Sequence, residues 1–155
     1  MTKKTPIDAL AMYDECFGLN LKRAARTVGR RYDEALQSVD LTNGQFATLA
    51  TISVFQPLSM QILAEHLSMD RTTLTAALKP LERRALVSVV ADGVDRRGRI
   101  INLTEEGVTL LREAAPLWKK VQGRITREMG TAGLPVFRAQ LAQLSRLCGD
   151  TGPRE

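Results

Sequence analysis

The chain is poor in the residues on which most enzymes depend. Its 155 residues include one histidine, His66, and two cysteines, Cys16 and Cys148. One histidine cannot supply a His-clustered metal site, and any Ser-His or Cys-His pair would rest on it alone. Within Ala64-Glu65-His66-Leu67 it reads as a surface or partly packed side chain. No Walker loop, G-x-S-x-G turn or dinucleotide fingerprint occurs, and Gly93 and Gly98 only bracket a hairpin loop. These absences argue against an enzyme, and no metal or cofactor is expected. The cysteines lie near opposite ends and form no motif, a usage that suits a reducing cytoplasm. No apolar run reaches the roughly 18 residues of a membrane span. Met1 to Pro6 leads into Ile7-Asp8 and not into a long uncharged stretch, so no secretory signal is expected.

What is present is an ordinary apolar fraction and an excess of basic charge. Lys and Arg number 22 against 17 Asp and Glu, a net charge of +5. That excess fits a polyanionic partner only if the cations cluster on one face. The length suits a single domain with one core. Residues 1 to 6 and 149 to 155 read as loose tails.

Periodicity divides the rest into helices and one hairpin. A first helix is expected over about residues 8 to 38, with a break near Gly18, because Phe17, Leu21, Ala24, Val28 and Ala35 keep helical spacing. Thr42 and Gln45 form a capping box for a second helix burying Phe46, Leu49, Ala50 and Ser53, which Pro57 ends. Ser59 caps a short helix to about Leu67. Ser68-Met69-Asp70 makes a three-residue turn, and Asp70 caps the next helix, about 70 to 84. Leu74, Ala77, Leu78 and Leu81 form its core stripe, with Arg71, Thr72, Thr75, Ala76 and Lys79 opposite. Pro80 is expected to kink this helix or tighten its end. Leu86–Ala91 and Arg99–Leu103 read as strands joined by Asp92-Gly93-Val94-Asp95-Arg96-Arg97-Gly98. Thr104 caps a long helix to about Met129, kinked at Pro116. A last helix, about Leu134 to Cys148, carries Leu134, Phe137, Leu141, Leu144 and Cys148 on one stripe.

Two short helices with a tight turn can set the second into a major groove. Here that helix presents Arg71, Thr72, Thr75 and Lys79. Arginine reads guanine edges, threonine meets bases or a thymine methyl, and lysine meets phosphate. The hairpin adds Arg96, Arg97 and Arg99, suited to the negative potential of a minor groove.

Leu63-Ala64-x-x-Leu67-x-Met69-Asp70-Arg71-Thr72-Thr73-Leu74-Thr75, followed by Leu78-x-x-Leu81-Glu82-Arg83-Arg84-Ala85-Leu86-Val87, resembles the recognition segment of the MarR (multiple-antibiotic-resistance regulator) family. Asp92-x-x-Asp95-Arg96-Arg97-x-Arg99 and Leu103-Thr104-x-x-Gly107 resemble its wing and the start of its dimerisation helix. The resemblance implies a mainly α winged helix-turn-helix protein with a small β-hairpin wing. About residues 40–103 would form the DNA-reading lobe, and about 7–39 and 104–148 the dimerisation helices. It implies a homodimeric transcriptional regulator in the cytoplasm, bound to a palindromic operator in double-stranded DNA through Arg71, Thr72, Thr73, Thr75, Lys79, Arg96, Arg97 and Arg99. Arg97 would enter the minor groove while Asp95 buttresses the wing. Ala85 departs from the family's usual glycine, so a different turn is expected there.

Members of that family usually repress transcription and release DNA on binding a small, often aromatic, ligand. Phe17, Asn20, Tyr32, Phe46 and Trp118 supply material for such a pocket, although aromatics at helical spacing are more often core. A second switch is oxidation of a thiol on the first helix. Cys16 lies near that place, but aligning Arg26 and Tyr32 with the hydroperoxide-sensing members puts Gly18 at the reactive position and Asn43 near a supporting tyrosine. A small packed hydrophobe is the plainer reading of Cys16. The alternative outside DNA binding is a helical protein-interaction or ligand-carrier module.

Overall fold

The computed structural model describes residues 8–93 and 98–149, with side chains through residue 147. Asp95, Arg96 and Arg97 of the wing, and the side chain of Cys148, lie outside the described residues.

Seven helices and a three-stranded sheet follow one another in the described chain: α1 Ala9–Glu15, α2 Phe17–Leu36, α3 Asn43–Phe55, β1 Leu58–Ser59, α4 Met60–Leu67, α5 Arg71–Arg83, β2 Val87–Ala91, β3 Arg99–Leu103, α6 Glu105–Met129 and α7 Leu134–Gly149. The first helical segment is two helices. The chain breaks at Cys16, not at Gly18, because Cys16 takes an extended backbone and its Sγ accepts the Leu19 amide at 3.4 Å, capping α2. Gly18 falls inside the first turn of α2. A 3-10 turn, Gln37–Val39, closes the segment.

Capping chemistry starts the central elements. The Thr42–Gln45 box opens α3 through reciprocal bonds of 3.2 and 3.0 Å. Ser59 caps α4, Asp70 caps α5 and Thr104 caps α6. The buried face of α3 is Thr48, Leu49 and Ile52, whereas Ser53 is exposed and Phe46 and Ala50 are half-buried. The helix is packed by α2, α6, α4 and β3 at once, so its covered face turns away from a simple single-sided stripe. Thr48 is accommodated because its hydroxyl donates to the Gly44 carbonyl at 2.9 Å.

β1 is too short for alternation to reveal it. It pairs antiparallel with β3, Leu58 opposite Ile101, giving the order β1-β3-β2. Under this sheet the core gathers Leu36, Leu49, Ile52, Leu63, Leu74, Leu81 and Ile101, all fully buried. α6 runs unbroken through Pro116.

The end of α5 carries a strained residue. The helix continues through Pro80 to Arg83 and then tightens. The Ala85 amide donates to Glu82 O and the Leu86 amide to Leu81 O, both at 2.9 Å. These two bonds form a Schellman motif, which needs a left-handed residue after the cap. Ala85 supplies it at φ 55°, so the turn is kept despite the missing glycine. A left-handed backbone costs a residue with Cβ roughly 1–2 kcal/mol, against about 0.4–1 kcal/mol of unfolded-state entropy that alanine saves. Ala85→Gly is therefore expected to stabilise the fold by about 0.5–1 kcal/mol, read as a higher urea midpoint with unchanged slope. An unchanged or lower midpoint would mean the turn carries no strain.

Candidate nucleic-acid interface

α4, the turn at Ser68–Asp70 and α5 form the helix-turn-helix. Ser68 adopts a left-handed backbone at φ 51° and lets the chain reverse in three residues. Asp70 then fixes the start of α5. Its Oδ1 accepts the Thr73 amide at 2.8 Å and its Oδ2 accepts the Thr73 hydroxyl at 2.7 Å. The amide bond first, and the hydroxyl bond second, hold the Asp70 carboxyl below the usual carboxylate range. A lowered folded-state value makes the cap stabilising above the unfolded carboxyl range. That contribution fades as pH falls through the folded value.

Leu74, Leu78 and Leu81 anchor α5 in the core. Each buried leucine is worth roughly 1.5–3 kcal/mol, so the helix is held firmly by one face. The other face is presented whole. Arg71, Thr72, Thr73, Thr75, Ala76, Lys79 and Arg83 are all exposed. Spacing puts Thr72, Ala76 and Arg83 directly opposite the leucines, with Lys79 beside them, Thr73 and Thr75 on the two flanks and Arg71 nearest the core side. Thr75 donates its hydroxyl to the Arg71 carbonyl at 2.7 Å. A shallow concavity of about 710 Å³ lies on this face, between Ala76, Lys79, Pro80, Glu82 and Arg83. The outward row read from the sequence stops at Lys79, and exposed Arg83 extends it by one turn.

β2 packs against this helix and pairs with β3. The Asp92 amide donates to Gly98 O at 3.1 Å and closes the base of the hairpin. Arg99 begins β3, exposed, with Nη1 donating to the Gly98 carbonyl at 3.0 Å. A second cavity, about 1220 Å³, runs from Met60, Ala64 and Met69 of the helix-turn-helix to Arg71, Arg99 and, from α7, Arg146. Arg146 is a second basic residue that the sequence reading missed, since nothing local ties α7 to this lobe.

Two pieces of α6 join the lobe to the rest. Thr104 Oγ1 accepts the Gly107 amide at 3.0 Å and donates to the Ala85 carbonyl at 2.7 Å. Further along, Tyr32 of α2 is buried and donates to Gln122 Oε1 at 2.6 Å. Burial pushes the Tyr32 phenol above its ordinary value. Phe46 and Trp118 stack nearby with centroids 6.3 Å apart. Tyr32, Phe46 and Trp118 thus meet in or against the core. Phe17 and Asn20 do not join them. Phe17 is 75% exposed, and Asn20 donates to the Asp14 carbonyl at 2.8 Å. These two residues sit roughly 18–22 Å along α2 from Tyr32. Cys16 is exposed at the junction of α1 and α2.

Helix, three-residue turn, helix and adjoining hairpin define a winged helix-turn-helix protein. The MarR family model matches residues 41–98. The M. tuberculosis transcriptional regulator MosR is 40% identical, with a TM-score of 0.77 over 88% of this chain and 98% of MosR. MosR has also been solved in complex with DNA, a structure that superimposes with a TM-score of 0.76 over 86% of this chain and 98% of that one. The transcriptional repressor CouR, solved on a 23-mer DNA duplex, is 27% identical with a TM-score of 0.78 over 88% of this chain and 96% of CouR. The organic hydroperoxide resistance transcriptional regulator of Bacillus subtilis (strain 168) is 28% identical over 97 residues, 63% of this chain and 66% of that regulator's length. The chain belongs to the MarR family of transcriptional regulators. The family is one of regulators and not of enzymes.

Proposed function

We propose that this chain binds double-stranded DNA in the cytoplasm as a homodimer and represses transcription from a palindromic operator. The observation that carries the reading is the outward face of α5. A helix held by three buried leucines presents threonines and cations as a row, and the β2–β3 hairpin that follows it in sequence carries Arg96, Arg97 and Arg99. Arg71, Thr72, Thr73, Thr75 and Lys79 would meet the major groove, and Arg96, Arg97 and Arg99 the adjoining backbone and minor groove. Residues 40–103 would form the reading lobe, with 7–39 and 104–148 forming the dimer. The apolar side chains left uncovered on α1, α2 and α7 support that division. They include Leu10, Met12, Phe17, Val136, Phe137 and Leu141. The DNA complexes of MosR and CouR support it further.

The test is capture of genomic fragments by the purified protein at about 0.15 M salt, followed by sequencing. Enrichment of a palindrome with half-sites about one helical turn apart is expected. Sequence-blind, salt-sensitive binding alone would move the protein-interaction reading to first place. On the recovered site, Arg97→Ala is expected to weaken binding strongly while the fold and dimer persist. Lys79→Ala is expected to weaken it uniformly across sequences and lower the salt slope by about one. A loss confined to certain sequences would contradict a phosphate role for Lys79.

We assign release to a small, aromatic effector contacted at Tyr32, Phe46 and Trp118, with Phe17 and Asn20 too far along α2 to share that site. The Tyr32–Gln122 bond and the Phe46–Trp118 stack support a coupling role, because they link α2, α3 and α6. A second reading of the switch is favoured by Cys16, an exposed thiol that caps α2 through the Leu19 amide. A hydroperoxide would oxidise it to the sulfenic acid, with the peroxide reduced to the alcohol, and so disturb the cap. Release of DNA by hydroperoxide in the wild type, abolished in Cys16→Ser, would select this switch. Equal release in both would exclude it.

A further inference from the structure

The threonines of α5 are not equivalent. A hydroxyl has one proton to donate. That of Thr73 goes to Asp70 Oδ2 and that of Thr75 to the Arg71 carbonyl, each at 2.7 Å. Among the described residues, no hydrogen bond holds the hydroxyl of Thr72. Thr75 therefore offers a groove only a methyl group and the lone pairs of its oxygen. Its neighbour Ala76 offers only a methyl, and the half-buried ring of Pro80 continues this apolar floor in the concavity flanked by Lys79 and Arg83. The middle of the outward face has no side-chain donor, while Arg71 and Thr72 before it, and Lys79 and Arg83 after it, have donors to spare.

We infer that the central turn of α5 selects A·T pairs by packing the C5-methyl of thymine against the methyls of Thr75 and Ala76. The inference rests on the DNA-binding reading and adds the base pair to it. Each pair shows the major groove two acceptors and one amino donor: O6, N7 and cytosine N4 for G·C, and N7, O4 and adenine N6 for A·T. Against a donor-free surface the acceptors of either pair lose their water and gain nothing, so they do not discriminate. The difference is the C5-methyl, which only thymine carries. That methyl finds apolar surface and offsets the loss, while the amino group of the pair meets the free lone pair of Thr75 Oγ1. Guanine is left to Arg71, at the edge of the face.

The experiment uses the full chain and the duplex recovered from the genomic capture. Each thymine in a half-site is replaced in turn by deoxyuracil, which deletes the C5-methyl and keeps the base pairing. Dissociation constants are compared at one salt concentration. At least one position is expected to lose about fourfold per half-site, the worth of one buried methyl. That loss is expected to shrink in Thr75→Ser, which lacks the Thr75 methyl and leaves only that of Ala76. It is expected to persist in Thr75→Val, which keeps a methyl and lacks the hydroxyl. If no uracil substitution matters, or if Thr75→Ser is as sensitive as the wild type, the methyl contact is wrong although the protein still binds its operator. If the capture yields no specific duplex, the DNA-binding reading itself fails and this inference falls with it.

Discussion

Gly107→Ala is expected to cost about 3 kcal/mol of stability, at the upper end of what overpacking usually costs. A Cβ built at Gly107 would clash with the carbonyl oxygen of Leu86 and lie 3.0 Å from Leu103 Cγ. The side chain of Leu103 has some freedom, but the carbonyl does not. It accepts the Thr104 amide at 3.2 Å, and the Leu86 amide is fixed by its own bond to Leu81. The helix start and the end of the recognition helix touch here backbone to backbone, and Thr104 clasps them by donating to Ala85 O. Relief requires α6 to move away from the lobe. The loss is read from the urea midpoint, with Gly18→Ala as the control. Nothing lies within 4 Å of a Cβ at Gly18. A glycine inside a helix costs roughly 0.5–1 kcal/mol relative to alanine, so the control is expected to stabilise the chain. An unchanged midpoint for Gly107→Ala would show that the α5–α6 junction yields easily, and the picture of a tight clasp would be wrong.

The double variant Phe137→Lys/Leu141→Lys is expected to become monomeric and to lose operator affinity by about 100-fold or more. Both side chains are exposed in the chain itself, and Leu134 is the only buried residue among the described side chains of α7. The substitutions therefore remove little from the chain's own core. What they remove is an apolar face, which water makes expensive to leave uncovered. Two linked reading lobes gain an effective concentration for the second half-site, worth roughly 10²–10⁴ in affinity. A monomer forfeits that gain. Sedimentation gives the oligomeric state, circular dichroism reports retention of the helices, and titration with the recovered duplex gives the affinity. A variant that stays dimeric with unchanged affinity would remove α7 from the interface.

Local chemistry made much of the architecture legible. The Thr42–Gln45 box, the caps at Ser59, Asp70 and Thr104, and the leucine stripe of α5 all act over three to seven residues, so spacing reveals them. The break at Cys16 was harder, because glycine is the more familiar weak point and a thiol is an unusual cap. β1 was invisible, since its two residues are strand only by pairing with β3, over 40 residues away. Ala85 shows the limit of a residue preference. Two backbone hydrogen bonds and the packing of Leu86 impose a conformation that alanine alone would avoid.

The sequence by itself determined the family, the order of the elements other than β1 and the α1–α2 break, and the row of basic and hydroxyl residues on α5, because each depends on residue type at short separations. Only the tertiary structure decided how those residues are used. It committed the hydroxyls of Thr73 and Thr75 to the helix's own start, added Arg83 to the outward row, and drew Tyr32, Phe46 and Trp118 into the core while leaving Phe17 and Asn20 at the far end of α2. Such outcomes depend on which groups meet across the fold and on which protons are already donated, and a linear pattern carries neither.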